Sequence, residues 1–274
     1  MGVRTSNKAT ESTVKDFKYW SGVIPFQVLA INPNLAELKK IGIEYMQKEP
    51  EYILEQNFDE NVVKNTILDF WVKSVPLPEY PELEIVAPLR FRINHDTWTG
   101  SNTGKKQYIN KYGRTAWAAD MESLNENKYY KNEGSRLAHR GEDELHKFLF
   151  AWLNMSYDDS KETWDDCLIN IDKVIKGDVS ELKEVVQGSL EYVVKLLVGV
   201  NVVEKDGKIR YYQALYNQMF LKHNQTSTNR MQEYIGRDEF TEFKADYYSF
   251  DIREFDKSVK PDTDPEKEEM KQVF

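Results

Sequence analysis

Four basic residues and three large aromatic rings share the fourteen positions of residues 104–117, GKKQYINKYGRTAW, and no acidic residue stands among them. Lysines neutralise phosphates, and a flat ring can stack a base for roughly 1–3 kcal/mol. That composition therefore suits a surface for single-stranded nucleic acid that does not discriminate sequence. Side chains alternate along a strand, so an extended run would place Lys106, Tyr108, Asn110 and Tyr112 on one face and Lys105, Gln107, Ile109 and Lys111 on the other. Neither face is purely apolar, and the pattern serves equally a plain amphipathic hairpin with solvated lysines.

The flanking residues extend the set. Arg90, Arg92 and Arg114 join Lys105, Lys106 and Lys111 between positions 90 and 117, where Asp96 is the single acid; the stretch carries +5 in a chain of net charge -9. Such segregation is the pattern of a binder with one basic face, and it excludes a protein that coats nucleic acid with its whole surface. Tyr108, Tyr112 and Trp117, with Trp98 at the tip, could each stack a base. About half of any set of rings in a chain this aromatic should be packing, and Phe91 and Trp117 are assigned to the core on that ground. Tyr129, Tyr130, Tyr211 and Tyr212 are secondary candidates.

Other chemistries find less footing. GSNTGKK at Gly100 has three residues between its glycines rather than four, and Lys106 follows Lys105 where a phosphate loop needs Ser or Thr. His95, His139, His146, His223 and Cys167 are too dispersed for zinc-ligand spacing. The carboxylate pairs Asp158-Asp159 and Asp165-Asp166 sit in polar sequence and read as surface. No nucleophile motif occurs, and the acidic surroundings of Cys167 oppose thiolate formation. No enzyme activity, metal or cofactor is expected.

These side chains need elements to position them. Residues 1–18 read as a flexible arm of net charge +2. VIPFQVLAIN (23–32) reads as a strand, and Asn32-Pro33 ends it and starts a short helix striped by Leu35, Leu38 and Ile41, with Gly42 as its stop. VVKNTILDFWVK (62–73) is a second strand, ended by Pro76, Pro78 and Pro81. LRFRIN (89–94) alternates cleanly, with Leu89, Phe91 and Ile93 inward and Arg90, Arg92 and Asn94 outward, and it is expected to pair with KKQYINKYG around a turn-rich tip bearing Trp98. Residues 119–141 read as an irregular excursion. Helices are predicted from Glu142, where Leu145, Phe148, Leu149 and Trp152 recur at helical spacing, near 163–175, and over 180–188 with Ser180 as N-cap. Asp206-Gly207 between two strand-like runs predicts a hairpin, and DYYSFDIREF a last strand. Beyond Phe255 the hydrophobic pattern stops, giving a disordered tail over 256–274 that ends on Phe274. The fold class is α+β: an antiparallel sheet domain over 19–255 with a helical insertion near 142–188. The lone cysteine, the absence of an apolar N-terminal core and the absence of a run long enough to span a bilayer predict an intracellular protein that does not enter a membrane.

The layout resembles the single-stranded DNA-binding proteins of tailed bacteriophages, and IPFQVLAINPNLAELKKIGI and GKKQYINKYGRTAWA look like segments of such proteins, including those of crAss-like phages. The resemblance implies an OB-type barrel, a function in phage replication or recombination in the host bacterial cytoplasm, and a C-terminal tail that meets replication or recombination proteins through Phe274. Lys260, Lys267 and Lys271 offset the tail's acids here, and no zinc-ligand cluster of the kind some members carry is present. The reading that follows is nonspecific binding of single-stranded DNA, with Arg90, Arg92, Lys105, Lys106, Lys111 and Arg114 on phosphates and Trp98, Tyr108 and Tyr112 on bases. A phage structural or adaptor protein using the basic hairpin as a protein interface, or a magnesium-dependent nuclease, stands as the alternative.

Overall fold

Every second residue of the first strand, β1 (Trp20–Ile31), is fully buried at Ile24, Phe26 and Val28, while Val23, Pro25 and Gln27 between them are partly exposed. The same alternation buries Leu89, Phe91 and Ile93 on β4 (Val86–Asn94), whereas β3 (Asn61–Ser74) is buried on both faces, with Leu68, Phe70 and Val72 in the main core and Trp71 packed with Leu38 and Ile43 on the other side. A computed structural model describes residues 18–58, 61–155, 170–205, 207–226 and 250–258 of the chain. In it the main sheet runs β2 (Ile53–Phe58), β3, β1, β8 (Val193–Lys205), β9 (Lys208–Lys222), with β4 on the far edge of β3 and β10 (Arg253–Glu254) against the start of β1. All of these pairings are antiparallel.

The inner face of this sheet curls around α3 (Glu142–Trp152). Leu145, Phe148, Leu149 and Trp152, the stripe that predicts the helix, are all buried against it. The Phe148 ring lies 5.3 Å from Phe91 on β4 and 5.5 Å from Phe220 on β9, so the helix holds together two strands from opposite edges. Phe91 and Phe220 are themselves 6.0 Å apart. No ladder joins β4 to β9 among the described residues, so the sheet is strongly curled but open there.

α1 (Leu35–Lys40) begins two residues later than Pro33 suggests, because Asn34 closes a capping box. Its side chain accepts the Glu37 N–H at 2.9 Å, and the Glu37 carboxylate accepts the Asn34 N–H at 2.8 Å. α4 (Ile171–Ile175) and α5 (Ser180–Gly188) complete the helical insertion. Ser180 is not the cap of α5 but its first helical residue, and it gives its own N–H and O–H to Asp178. The hairpin of β8 and β9 forms as Asp206-Gly207 predicts, with Lys205 opposite Lys208 and Gly207 at φ 68°, a conformation glycine adopts freely.

The expected pairing of LRFRIN with KKQYINKYG does not form. β4 instead matches β3 over nine residue pairs, from Lys73–Val86 to Asn65–Asn94, a register in which both strands turn their apolar residues inward. KKQYINKYG supplies β5 (Lys106–Ile109), the centre of a separate sheet between β6 (Thr115–Ala118) and β7 (Arg136–Leu137). The excursion at 119–141 covers that sheet: α2 (Met121–Asn125) brings Leu124, and the following loop brings Tyr130, against Tyr108 and Ala118. The predicted strand near 246–255 is described only from 250, where β10 lies. Of the basic arm only Lys18 lies within the described residues, and it pairs with Glu82 at 2.6 Å and Glu254 at 2.9 Å. The tail expected from 256 is described as far as Ser258, where the Lys257 carbonyl accepts the Tyr211 hydroxyl at 2.6 Å; Cys167, both carboxylate pairs, the rest of the charged tail and Phe274 lie outside the described residues.

Candidate nucleic-acid interface

The strand predicted through residues 104–117 is interrupted by a turn, and Asn110 makes it. Its buried side chain accepts the N–H groups of Tyr112 (2.9 Å) and Arg114 (3.0 Å) and donates to the Lys131 carbonyl (2.6 Å). Short polar side chains that bond the backbone two residues on favour such a turn. Gly113, at φ 69°, completes it. Lys111 and Tyr112 thus sit at a hairpin tip rather than on a strand face.

At the other end of the hairpin the chain approaches Trp98. The N–H of Gln107 donates to the Trp98 carbonyl at 3.0 Å, the N–H of Trp98 to Ala138 at 2.8 Å, and the N–H of Ala138 back to Gln107 at 2.9 Å. This triangle fixes three segments distant in sequence. Trp117, opposite Gln107 on β6, meets Trp98 edge to face with ring centroids 5.9 Å apart. The Arg140 guanidinium lies 5.6 Å from the Trp98 ring centre, close enough for a cation–π contact. Together with Lys105 and the 99–103 turn they line a cleft of about 580 Å³ in which no side chain is acidic. Among the described residues Lys105, Lys106 and Arg92 form no ion pair. The carboxyl of nearby Asp120 is held below its usual range, first by the Ser123 N–H and to a smaller degree by Lys106.

Eight of the nine candidate residues fall in three places, and the ninth, Tyr108, lies in the small core beneath α2. Trp98, Lys105 and Lys106 gather at or beside the cleft. Lys111, Tyr112 and Arg114 gather at the hairpin tip, where Lys111 is paired with Glu133, which also accepts the Tyr112 hydroxyl at 3.0 Å. Arg90 and Arg92 stand on the main sheet.

Two of the roles expected from sequence do not fit these positions. Tyr108 is 5% exposed and packed under α2, so its ring offers no face to a base. Arg90 gives Nε and Nη2 to the two Asp69 carboxylate oxygens at 2.7 and 2.6 Å, and that fork uses the geometry a phosphate would need. Trp117, assigned to the core, is instead 42% exposed, whereas Phe91 is buried as expected. The alternation Ala116, Trp117, Ala118 held the signal: the two alanines face Tyr108 and α2, which turns the tryptophan the other way. Arg140 carried no sequence signal, lying far along the chain from the ring it covers.

Behind the cleft is a buried ionic group. Glu142 opens α3 with no exposed side-chain surface; its carboxylate takes both terminal nitrogens of Arg136, the His139 N–H at 3.0 Å, and lies 3.2 Å from His146 Nε2. Burial works to raise its pKa, but the hydrogen bonds from His146 and Arg136 prevail and hold it at about 2. Arg140 stands two residues before Glu142 in the chain. His95 bonds the Thr66 hydroxyl at 3.0 Å, and burial, then the charges of Lys64 and His139, keep its imidazole below the ordinary range. Among the described residues no group of three or more His, Cys, Asp or Glu side chains could hold a metal ion, and no helix is long and apolar enough to cross a membrane.

No family model, curated protein or solved structure matches the chain.

Proposed function

We propose that the chain binds single-stranded DNA without sequence preference, through the cleft of Trp98 and Trp117. The observation that carries this reading is the pair of partly exposed indoles flanked by Lys105 and Arg140 in a lining free of carboxylates. Two adjoining, partly exposed indoles offer a stacking platform, and a base of a single strand offers its whole ring face, which a duplex keeps stacked inside. Lys105, Lys106 and Arg140 supply the countercharge. Stacking and phosphate pairing serve RNA as well, so the choice of DNA, like a place in phage replication and a partner contact through Phe274, rests on the resemblance noted above. The curl that brings Phe91 within 6.0 Å of Phe220 supports the OB-type barrel as the parent architecture.

Fluorescence anisotropy of a labelled oligo-dT tests the reading. Affinity should fall with salt at a log–log slope of about -2 if three phosphates are neutralised, and duplex DNA should compete poorly. Folded protein that binds no oligonucleotide at low salt would favour the adaptor reading.

A further inference from the structure

Trp98 is carried by a strap in which residues 94–98 run antiparallel to residues 138–140. The N–H of Asn94 donates to the Arg140 carbonyl at 3.0 Å, Thr97 lies opposite His139, and the N–H of Trp98 donates to the Ala138 carbonyl at 2.8 Å. Each segment bears a histidine, His95 on one and His139 on the other. The Thr66 hydroxyl gives its hydrogen to the Ile175 carbonyl at 2.8 Å, so it accepts in its 3.0 Å bond with His95, and Nε2 of His95 is the donor. A second proton on His95 would sit beside Lys64 and His139, whose charges oppose it. Nδ1 of His139 is buried without a hydrogen-bond partner. An imidazolium carries hydrogens on both nitrogens, so protonated His139 would bury an N–H with no acceptor. The nearby carboxylates do not cancel these costs. Asp96 and Glu55 draw a proton to His95 less strongly than Lys64 and His139 repel it, and Glu142, which accepts the His139 N–H, is already paired with Arg136 and His146.

We propose that the two histidines make this strap an acid-sensitive latch on the indole cleft: it closes with both imidazoles neutral, and their protonation releases Trp98 and Arg140 together. The inference rests on the single-strand reading above and gives its site a control. Trp98 and Arg140 belong to the two segments that the strap joins, and the guanidinium lies over the ring, so opening the strap removes a stacking face and a countercharge at once. The sign follows from which state can take the proton. In the opened strap an imidazole titrates at its ordinary value, so closure is favoured above that value and weakens as the pH falls below it. With an ordinary value of about 6.5, each linked histidine raises the opening equilibrium about tenfold between about pH 7.5 and about pH 5.5.

Hydrogen exchange of the Trp98 amide and affinity for labelled oligo-dT are measured on the full chain at those two pH values, for the parent, His95→Gln, His139→Gln and the double variant. Glutamine keeps a donor for Thr66 and takes up no proton. Protection of the Trp98 amide, corrected for the intrinsic exchange rate, should fall by about tenfold or more in the parent at the lower pH and by less than about twofold in the double variant. Oligo-dT affinity should fall with it in the parent alone. Each single variant should lie between the two, and the pair replaces the double variant if that one does not fold. Equal loss of protection in the parent and the variants overturns the latch. Affinity that holds or rises at the lower pH while protection falls overturns its control of the cleft. An oligonucleotide that binds at neither pH removes the single-strand reading instead, and the exchange measurement still decides whether the strap opens.

Discussion

Arg90 on β4 stands directly opposite Asp69 on β3 and returns two parallel hydrogen bonds to its carboxylate, at 2.7 and 2.6 Å. The Asp69 side chain is 6% exposed and that of Arg90 38%. Removing the arginine leaves a buried carboxylate without its countercharge. Arg90→Ala should therefore cost about 3 kcal/mol, the low end for a broken buried pair because the guanidinium is partly solvated. Urea denaturation measures this, and at temperatures where the variant is folded its oligo-dT affinity should match the parent's. A large loss of binding by folded Arg90→Ala would return this residue to the interface.

Tyr108 and Trp117 should separate stability from binding. Tyr108→Ala empties part of the small core beneath α2, at a cost of about 3 kcal/mol in unfolding free energy. Trp117→Ala removes a ring that lies on the cleft wall, so its midpoint of unfolding should barely move while oligo-dT affinity drops by about tenfold or more. Loss of binding by Trp117→Ala accompanied by an equal loss of stability would assign Trp117 to packing.

The Glu142 anchor makes an acid-sensitive contribution. Its folded pKa is about 2 against an ordinary 4.5, so the stabilisation is complete above the unfolded value and declines as pH falls from there through the folded one. Glu142→Gln should cost about 3 kcal/mol near neutral pH, and the gap between parent and variant should close progressively as the pH falls from about 4.5 towards about 2. Denaturant midpoints across that range give the answer. A gap that stays constant with pH would show that the carboxylate's charge contributes nothing.

Gly141 precedes Glu142 at φ 84°, and a Cβ there would lie 2.1 Å from the Arg92 carbonyl oxygen. Gly141→Ala must therefore push the start of α3 away from β4, beyond the roughly 1–2 kcal/mol that the backbone conformation alone costs a non-glycine residue. Arg140 moves with it. The variant should lose both stability and the Arg140–Trp98 contact, the latter visible as a change in tryptophan emission.

Alternation and periodicity carried the main sheet and α3. Leu89, Phe91 and Ile93, or Leu145, Phe148, Leu149 and Trp152, can be buried together in only one regular conformation, and their local spacing states which. Asp206-Gly207 likewise fixes its hairpin because the turn chemistry is local. The turn at Asn110 was open to the same reasoning, since Asn and Gly at positions 110 and 113 oppose a continuous strand. The alanines flanking Trp117 also marked that ring as outward-facing.

The amino-acid sequence by itself thus determined the α+β class, the inward face of β4, the helical insertion and the concentration of basic charge between residues 90 and 117. Only the tertiary structure decided which of those charges are already answered and which rings are covered. Asp69 meets Arg90, Glu133 meets Lys111, α2 covers Tyr108, and Arg140 reaches Trp98. Each depends on strand partners and on the path of the chain between them. Local spacing sets a side chain's direction within its own element, but not what another element places in front of it.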